Sequence, residues 1–162
     1  MILQANSSHW DAISAIYQEG IRTNDATFES AGNLKDYAHW ISSKIADACF
    51  VFLFEDEVVG WSALSPVSSR CVYSGVAEVS VYVRQNRTSQ GIGSALLTAL
   101  IEYAEHHAIW TVEAGIFPEN TASIALHQKL GFRQVGYREK IGKMNGRWRD
   151  TYLFERRSTS IQ

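Results

Sequence analysis

Hydrophobic and polar positions in this chain switch repeatedly between a period of two and a period near 3.6. Val79, Val81 and Val83 alternate with Ser80 and Tyr82, the pattern of a strand. Ile92, Ala95, Leu96, Ala99, Leu100 and Tyr103 then recur at three and four, the apolar face of a helix from about Gly91 to His107. Ile2–Gln4 reads as a short first strand. Ser7 or Ser8 is placed to cap a helix with Trp10, Ile13, Ile16 and Tyr17 on one face, ending near Gly20. Residues 23–29 have no clear period and read as a loop, either a surface connection plugged by Phe28 or a lid. Asn33 is placed to cap a second helix with Leu34, Tyr37, Trp40, Ile41 and Ile45 inward.

The run Cys49–Phe54 is continuously apolar and suits a strand covered on both faces. Glu55, Asp56 and Glu57 turn it into a second strand, Val58–Leu64, as a hairpin. A polar loop, residues 66–70, leads into the central strand, expected over Cys71–Val83. After the long helix, Trp110–Ile116 is a strand stopped by Pro118, which lacks a ladder N–H. Asn120 or Thr121 starts a helix carrying Ala122, Leu126 and Leu130 on one face, with His127 at its border and Gly131 as its stop. Phe132–Ile141 and Arg147–Phe154 flank Asn145-Gly146, a strong hairpin signal. The polar tail from Arg156 is expected to fray.

Composition narrows the function. The 162 residues suit one domain, 1–162, and at 46% hydrophobic they suffice for a core. The formal charge of −2 gives no basic field to hold nucleic acid or an anionic membrane. No apolar run approaches the ~18 residues of a membrane span, and no secretory pattern opens the chain, so a cytoplasmic setting is expected. Cys49 and Cys71 match no metal spacing, no disulfide is expected, and Cys49 reads as a core thiol.

The stretch Thr88-Ser89-Gln90-Gly91-Ile92-Gly93-Ser94 joins the central strand to the long helix. A helix start has unpaired N–H groups and a positive dipole end, and glycine lets a phosphate approach. An anion site and an ordinary helix start both fit this stretch when it is taken alone.

The ending Asn120-Thr-Ala-Ser123-Ile-Ala-Leu-His127-Gln-Lys-Leu-Gly131-Phe132 resembles the signature of the GNAT N-acetyltransferase superfamily, and the order of elements agrees over nearly the whole chain. The Glu78-x-x-Val81-Tyr82-Val83 strand, the Ala26-Thr27-Phe28-Glu29 loop, the Leu126-His127 pair and the Gly146-Arg147-Trp148-Arg149-Asp150 hairpin are most similar to its phosphinothricin acetyltransferase-like members. Two departures stand out: Thr88 replaces the usual Gln or Arg of the loop, and Val76-Ala77 replaces a frequent Thr-Val before Glu78.

The resemblance implies an α/β (α+β) fold, a mixed, mostly antiparallel central sheet of about seven strands flanked by about four helices. It implies acetyl-CoA as donor, a small primary amine as acceptor, no metal, and a homodimer. Its pyrophosphate would rest on Ser89, Gln90, Gly91, Ile92, Gly93 and Ser94, and its pantetheine arm along Val81, Tyr82 and Val83, with Asn120 and Ser123 as further contacts. A backbone N–H at Val81 or Tyr82 would polarise the thioester oxygen. Glu78 takes the place of a general base, and His127 that of an acid for the departing thiolate. Taken alone, Glu78 reads more readily as a strand carboxylate paired with an arginine, His127 as a partly buried polar residue, and Asn120 or Ser123 as caps. Arg70 is a candidate for an acceptor carboxylate or phosphinate, with Phe28, Tyr73 and Trp148 as pocket walls and Arg147 and Arg149 as surface charges. Acceptors of the phosphinothricin, methionine sulfoximine or methionine sulfone type fit by resemblance. The competing readings are another small amine, a protein N-terminus, or a non-catalytic acyl-CoA sensor.

Overall fold

In the computed structural model, which describes residues 1–161, a single seven-stranded sheet runs through the chain. Its strands are β1 Ile2–Gln4, β2 Cys49–Phe54, β3 Glu57–Pro66, β4 Val76–Val83, β5 Thr111–Ile116, β6 Arg133–Met144 and β7 Arg147–Arg157. They lie in the order β1-β2-β3-β4-β5-β7-β6, with β4–β5 the one parallel pair. The helices are α1 Trp10–Arg22, α2 Tyr37–Ser42, α3 Ile92–His106 and α4 Thr121–Lys129. The expected mixed, mostly antiparallel GNAT fold is the one observed.

Strand alternation divides the core. Odd residues of β4 and even residues of β5 face α3 and α4, where Ala77, Val79, Leu97, Leu100, Val112, Ala114 and Phe154 pack together. On the other face, Ile13 and Ile16 of α1 and Trp40 of α2 close over Val51, Trp61 and Ala63. Tyr82 stacks on Trp61 at 4.7 Å and meets Tyr17 at 4.8 Å. Each face therefore buries one stripe of the sheet, and both helix layers are needed to cover it.

Several local expectations change. Asn6, rather than Ser7 or Ser8, caps the first helical segment, its Oδ1 accepting from Ser8 N at 2.9 Å. Gly20 does not end α1; it lies within the helix because the Tyr82 ring occupies the place of a side chain there. Asp36, not Asn33, caps α2, accepting from His39 N at 2.7 Å, while Asn33 closes a 3-10 turn and donates to Glu29. The central strand starts at Val76, because Cys71–Tyr73 form a 3-10 turn. The tail is held rather than frayed: Glu105 of α3 gathers Arg156 at 2.9 Å and Ser160 at 2.5 Å, along with the Ser158 hydroxyl. Those hydrogen bonds pull the Glu105 carboxyl down to about 2. Cys49 is buried, as expected, and burial pushes its thiol up to about 12.

The β6–β7 hairpin turns at Asn145-Gly146 and carries a bulge between Arg138 and Gly142. Asp150 staples that bulge, accepting from Lys140 N at 2.7 Å and from the Tyr137 hydroxyl.

The β4–β5 pair decides the shape of the molecule. It joins only Val76↔Thr111, Ala77↔Val112 and Glu78↔Glu113. Beyond Glu78, β4 stays with β3 to Val83, and β5 stays with β7 to Ile116, so the sheet opens into a fork. At the closed end Thr111 N donates to Gly75 O at 3.1 Å. The Trp110 indole lies so close to Gly75 that an added Cβ would come within 2.0 Å of it. Gly75→Ala must therefore push Trp110 or the strand start aside. We expect it to destabilise the fold by about 1–3 kcal/mol, read as a lowered urea midpoint at unchanged m value. A midpoint equal to wild type would mean that this contact does not hold the pair.

Candidate active site

The fork opens into a cleft of about 1060 Å³, large for a ligand site. One wall is β4. The N–H of Arg84 donates to Val59 O on β3, while Gly75 O accepts from β5. Backbone direction alternates along a strand, so odd residues of β4 turn their polar groups toward β5. Past Glu78 there is no β5 partner, which leaves Val81 and Val83 offering unpaired N–H and C=O groups to the cleft. Tyr82 points its backbone at β3 and contributes its ring, which burial and the Trp61 stack hold in place.

The second wall is the start of α3. Gly91, at φ +80, is its N-cap and brings no side-chain cap. The N–H groups of Ile92, Gly93 and Ser94 cannot bond within the helix, and the first backbone bond is Ala95 N to Gly91 O at 3.0 Å. Ser89, at φ +62, precedes them, so the loop curls its amides toward one concavity. Ser89, Gly91, Ile92, Gly93 and Ser94 all line the cleft, and Gln90 does not. Ile92 contributes backbone alone, because its side chain is buried against Val59 and Leu96. Glu19 of α1 anchors the loop, accepting from Gln85 N at 2.9 Å and Arg84 at 3.3 Å. Thr88 and Arg87 also reach the cleft, the Arg87 guanidinium over the Phe54 ring at 4.6 Å.

Glu78 stands at the fork itself. Its Oε1 lies 3.8 Å from where a side chain on Gly115 would begin, so the carboxylate reaches across to β5. Among the described residues it forms no ion pair. Glu113 is its partner in the parallel register, and burial together with the Glu78 charge raises the Glu113 carboxyl above its usual range.

His127 is 4% exposed and sits edge-on to Phe132 at 4.9 Å. Its Nδ1 lies 2.7 Å from Ser123 O; a carbonyl only accepts, so Nδ1 carries the proton. Nε2 is buried with no partner among the described residues. Asn120 uses both ends of its amide: Oδ1 caps α4 from Ser123 N at 3.1 Å, and Nδ2 donates to Asp25 O at 3.0 Å.

The 23–29 loop forms the third wall and is tied down from several elements. Tyr82 donates to Ala26 O at 3.4 Å, and Arg149 of β7 holds Asn24 O at 2.7 Å and Asp25 at 3.0 Å. Phe28 packs edge-on to Phe117 at 4.8 Å and lies against Gly142 of the bulge. Arg149 is thus not the surface charge expected: its side chain is 16% exposed, lies over Phe117 at 4.1 Å and also pairs with Glu119. Of the expected acceptor residues, only Phe28 reaches this cleft. Arg70 and Tyr73 pair with each other at 5.6 Å and, like Trp148, stand outside it. Lys44, Ser65, Arg138, Ile141 and Thr151 line the cleft instead. They come from the turn after α2, from β3 and from the β6–β7 hairpin, whose meeting no local sequence signal marks. Among the described residues no three His, Cys, Asp or Glu side chains gather as a metal site, and no helix is long and apolar enough to cross a membrane.

The profile described as "Acetyltransferase (GNAT) domain" matches residues 2–153. The chain belongs to the GNAT acetyltransferase family. It is 31% identical over 153 residues to an L-methionine sulfoximine/L-methionine sulfone acetyltransferase of Pseudomonas aeruginosa, covering 92% of this chain and 89% of the relative. Among solved structures, a phosphinothricin acetyltransferase from Sinorhizobium meliloti in complex with acetyl-CoA superposes at TM-score 0.85 and 29% identity, covering 97% of this chain and 87% of that one. A ribosomal-protein-alanine N-acetyltransferase from Brucella melitensis superposes at TM-score 0.90 and 30% identity, covering 98% and 99%. The GNAT chain described here is an acetyl-CoA-dependent N-acetyltransferase. The open β4 edge and the bare α3 amides are what a long, anionic co-substrate requires.

The acetyltransferase carries a pH-sensitive element in His127, whose pKa burial pulls below the usual value despite the bond to Ser123. The fold tolerates the neutral ring, so its contribution to stability is complete above the unfolded value of about 6.5 and is lost as pH falls below it. We expect NMR titration of the ring to give a pKa below that of an exposed histidine, and His127→Gln to flatten the stability loss under pH 6.5. An ordinary titration would contradict the buried, neutral assignment.

Proposed function

We propose that this enzyme transfers the acetyl group of acetyl-CoA to the primary amine of a small amino-acid-like acceptor, with Glu78 as general base. The observation that carries the reading is an unpaired carboxylate at the point where β4 loses its partner, beside backbone groups suited to a pantetheine arm. Acetyl-CoA supplies the activated thioester. The amides of Ile92, Gly93 and Ser94 bind its pyrophosphate, aided by the helix dipole. The N–H of Val81, which faces the cleft while the Tyr82 backbone faces β3, polarises the thioester oxygen as negative charge develops. Glu78 takes the ammonium proton, directly or through water. A peptide α-amino group has a pKa of about 7.7–8.0, and the carboxylate of a free amino acid raises it further, so the amine is otherwise mostly protonated at neutral pH. Glu113 stands beside it in the parallel register, its own carboxyl raised by burial and by the Glu78 charge.

His127 enters the reaction as a neutral ring with Nε2 free, so it must first gain a proton there before returning one to the departing thiolate. Asn120 and Ser123 fix the α4 start that positions this ring, and Phe28 closes the acceptor end.

The names of two relatives, acting on methionine sulfone or sulfoximine and on phosphinothricin, support the amino-acid reading. The ribosomal-protein-alanine relative supports a second reading, a protein N-terminus. Thiol release with methionine sulfone, phosphinothricin, a polyamine and an alanine-starting peptide separates them. Acetylation of the first two alone is expected, and turnover of the peptide alone would select the second reading. Glu78→Gln should lower kcat/KM roughly 10²–10⁴-fold with acetyl-CoA affinity retained. Unchanged turnover would remove Glu78 from the base role, and a chain that binds acetyl-CoA but acetylates nothing would be a sensor.

We also propose a cytoplasmic setting and, supported by exposed Val72, Tyr73 and Trp148, the last 58% exposed, outside the cleft, a homodimer. Sedimentation velocity should give twice the monomer mass; a monomer across the micromolar range would contradict this.

A further inference from the structure

A small amino-acid acceptor brings a carboxylate that needs a cation, and Arg70 lies outside the cleft. Of the basic residues that line the cleft, Arg87 belongs to the loop before α3 and Lys129 to α4, which leaves Lys44 and Arg138. Arg138 is exposed on β6 and shares a face with Thr151. Lys44, just after α2, is half-buried and lines the cleft, its Nζ donating to Ser65 Oγ at 3.2 Å. Ser65 is the cross-strand partner of Glu78, and paired side chains of this kind stand about 4.5–5.5 Å apart at Cβ. The Lys44 ammonium therefore sits one side chain from the proposed base.

An ammonium has three donors, and only one of them is used here. Among the described residues no carboxylate lies within the 4.0 Å of an ion pair with Lys44. Burial lowers the Lys44 pKa, the signature of a cation taken from water without full compensation, although Cys49, Glu78 and Glu29 pull it back up. An arriving anion relieves that deficit.

We propose that Lys44 binds the carboxylate of the acceptor, so that the enzyme selects amino acids with a free carboxylate over simple amines. The proposal rests on the small-acceptor reading above. An α-amino acid carries its ammonium and carboxylate on one carbon, so it needs a base and a cation that are neighbours, and Glu78 and Lys44 are. The charges also fix the direction of binding. The ammonium goes to the Glu78–Glu113 pair and the carboxylate to Lys44, because the reverse sets like charges together on both sides. Ser65 Oγ accepts one hydrogen bond from the Lys44 ammonium, which leaves the other donors for the carboxylate.

The test compares methionine sulfone with its uncharged carboxamide as acceptors for wild type, Lys44→Gln, Lys44→Arg and Arg138→Gln. Lys44→Gln should reduce the preference for acid over amide about 10–100-fold, the worth of a charge-assisted bond, chiefly through KM for the acid. Lys44→Arg should restore most of it, and KM for acetyl-CoA should not follow the change. A merely structural lysine would lower both acceptors alike and leave their ratio intact, which would overturn the proposal. So would a collapse of the ratio in Arg138→Gln instead of Lys44→Gln. A wild type that uses acid and amide equally overturns this inference alone. One that acetylates neither overturns the small-acceptor reading with it.

Discussion

The parting of β4 from β5 after a pair of facing glutamates is the constraint on which everything else in this structure depends. A sheet interior normally has no free backbone groups, and leaving them buried is costly. Here β4 is drawn along β3 and β5 along β7, and the ladder between them stops. The hydrogen bonds that β5 would have supplied at Val81 and Val83 are left for a ligand with amides of its own. The same divergence makes room for α3 to start with bare N–H groups beside the strand end, where Gly93 meets Leu126 of α4 and Val83. One break in pairing thus yields a cradle for a chain, a seat for its phosphates and a carboxylate at the vertex.

The rest of the fold keeps that break open and walls it. Glu19 ties the phosphate loop to α1, and Trp110 against Gly75 clamps the closed end. Arg149 ties the 23–29 loop and the β5–α4 connection to β7 at one guanidinium, using the planar donors that lysine lacks. These bonds, with those from Tyr82 and Asn120, hold the 23–29 segment against the cleft as its third wall. Charge is distributed along the fork to match: bare amides at the α3 end, paired carboxylates at the vertex, and the cations Lys44 and Arg138 lining the same cleft.

Much of this was legible in sequence because periodicity reports burial directly. The Val79–Val83 alternation and the three-and-four spacing from Ile92 come from side chains that do sit inward. Asn145-Gly146 announced its turn because both residues adopt positive φ. Glu78 and His127 were legible only through a family pattern, since a lone glutamate on a strand looks the same whether paired or free. What the sequence hid was long-range. Lys44 follows a short helix, Ser65 is the last residue but one of a strand and Arg138 starts a bulge, and nothing local says that they share a cleft with Glu78. Arg149 looked exposed because its partners, Asn24, Asp25 and Glu119, lie far away in the chain. Caps shifted by a few residues for a simpler reason: several Ser, Asn and Asp side chains competed for each helix start, and packing chose among them.

The most direct test of this arrangement is residue-resolved amide hydrogen exchange with and without coenzyme A. The account predicts slowed exchange at Val81, Val83, Ile92, Gly93 and Ser94, with β1 and β2 unchanged. Protection elsewhere, with those five amides exchanging as in the free protein, would contradict it.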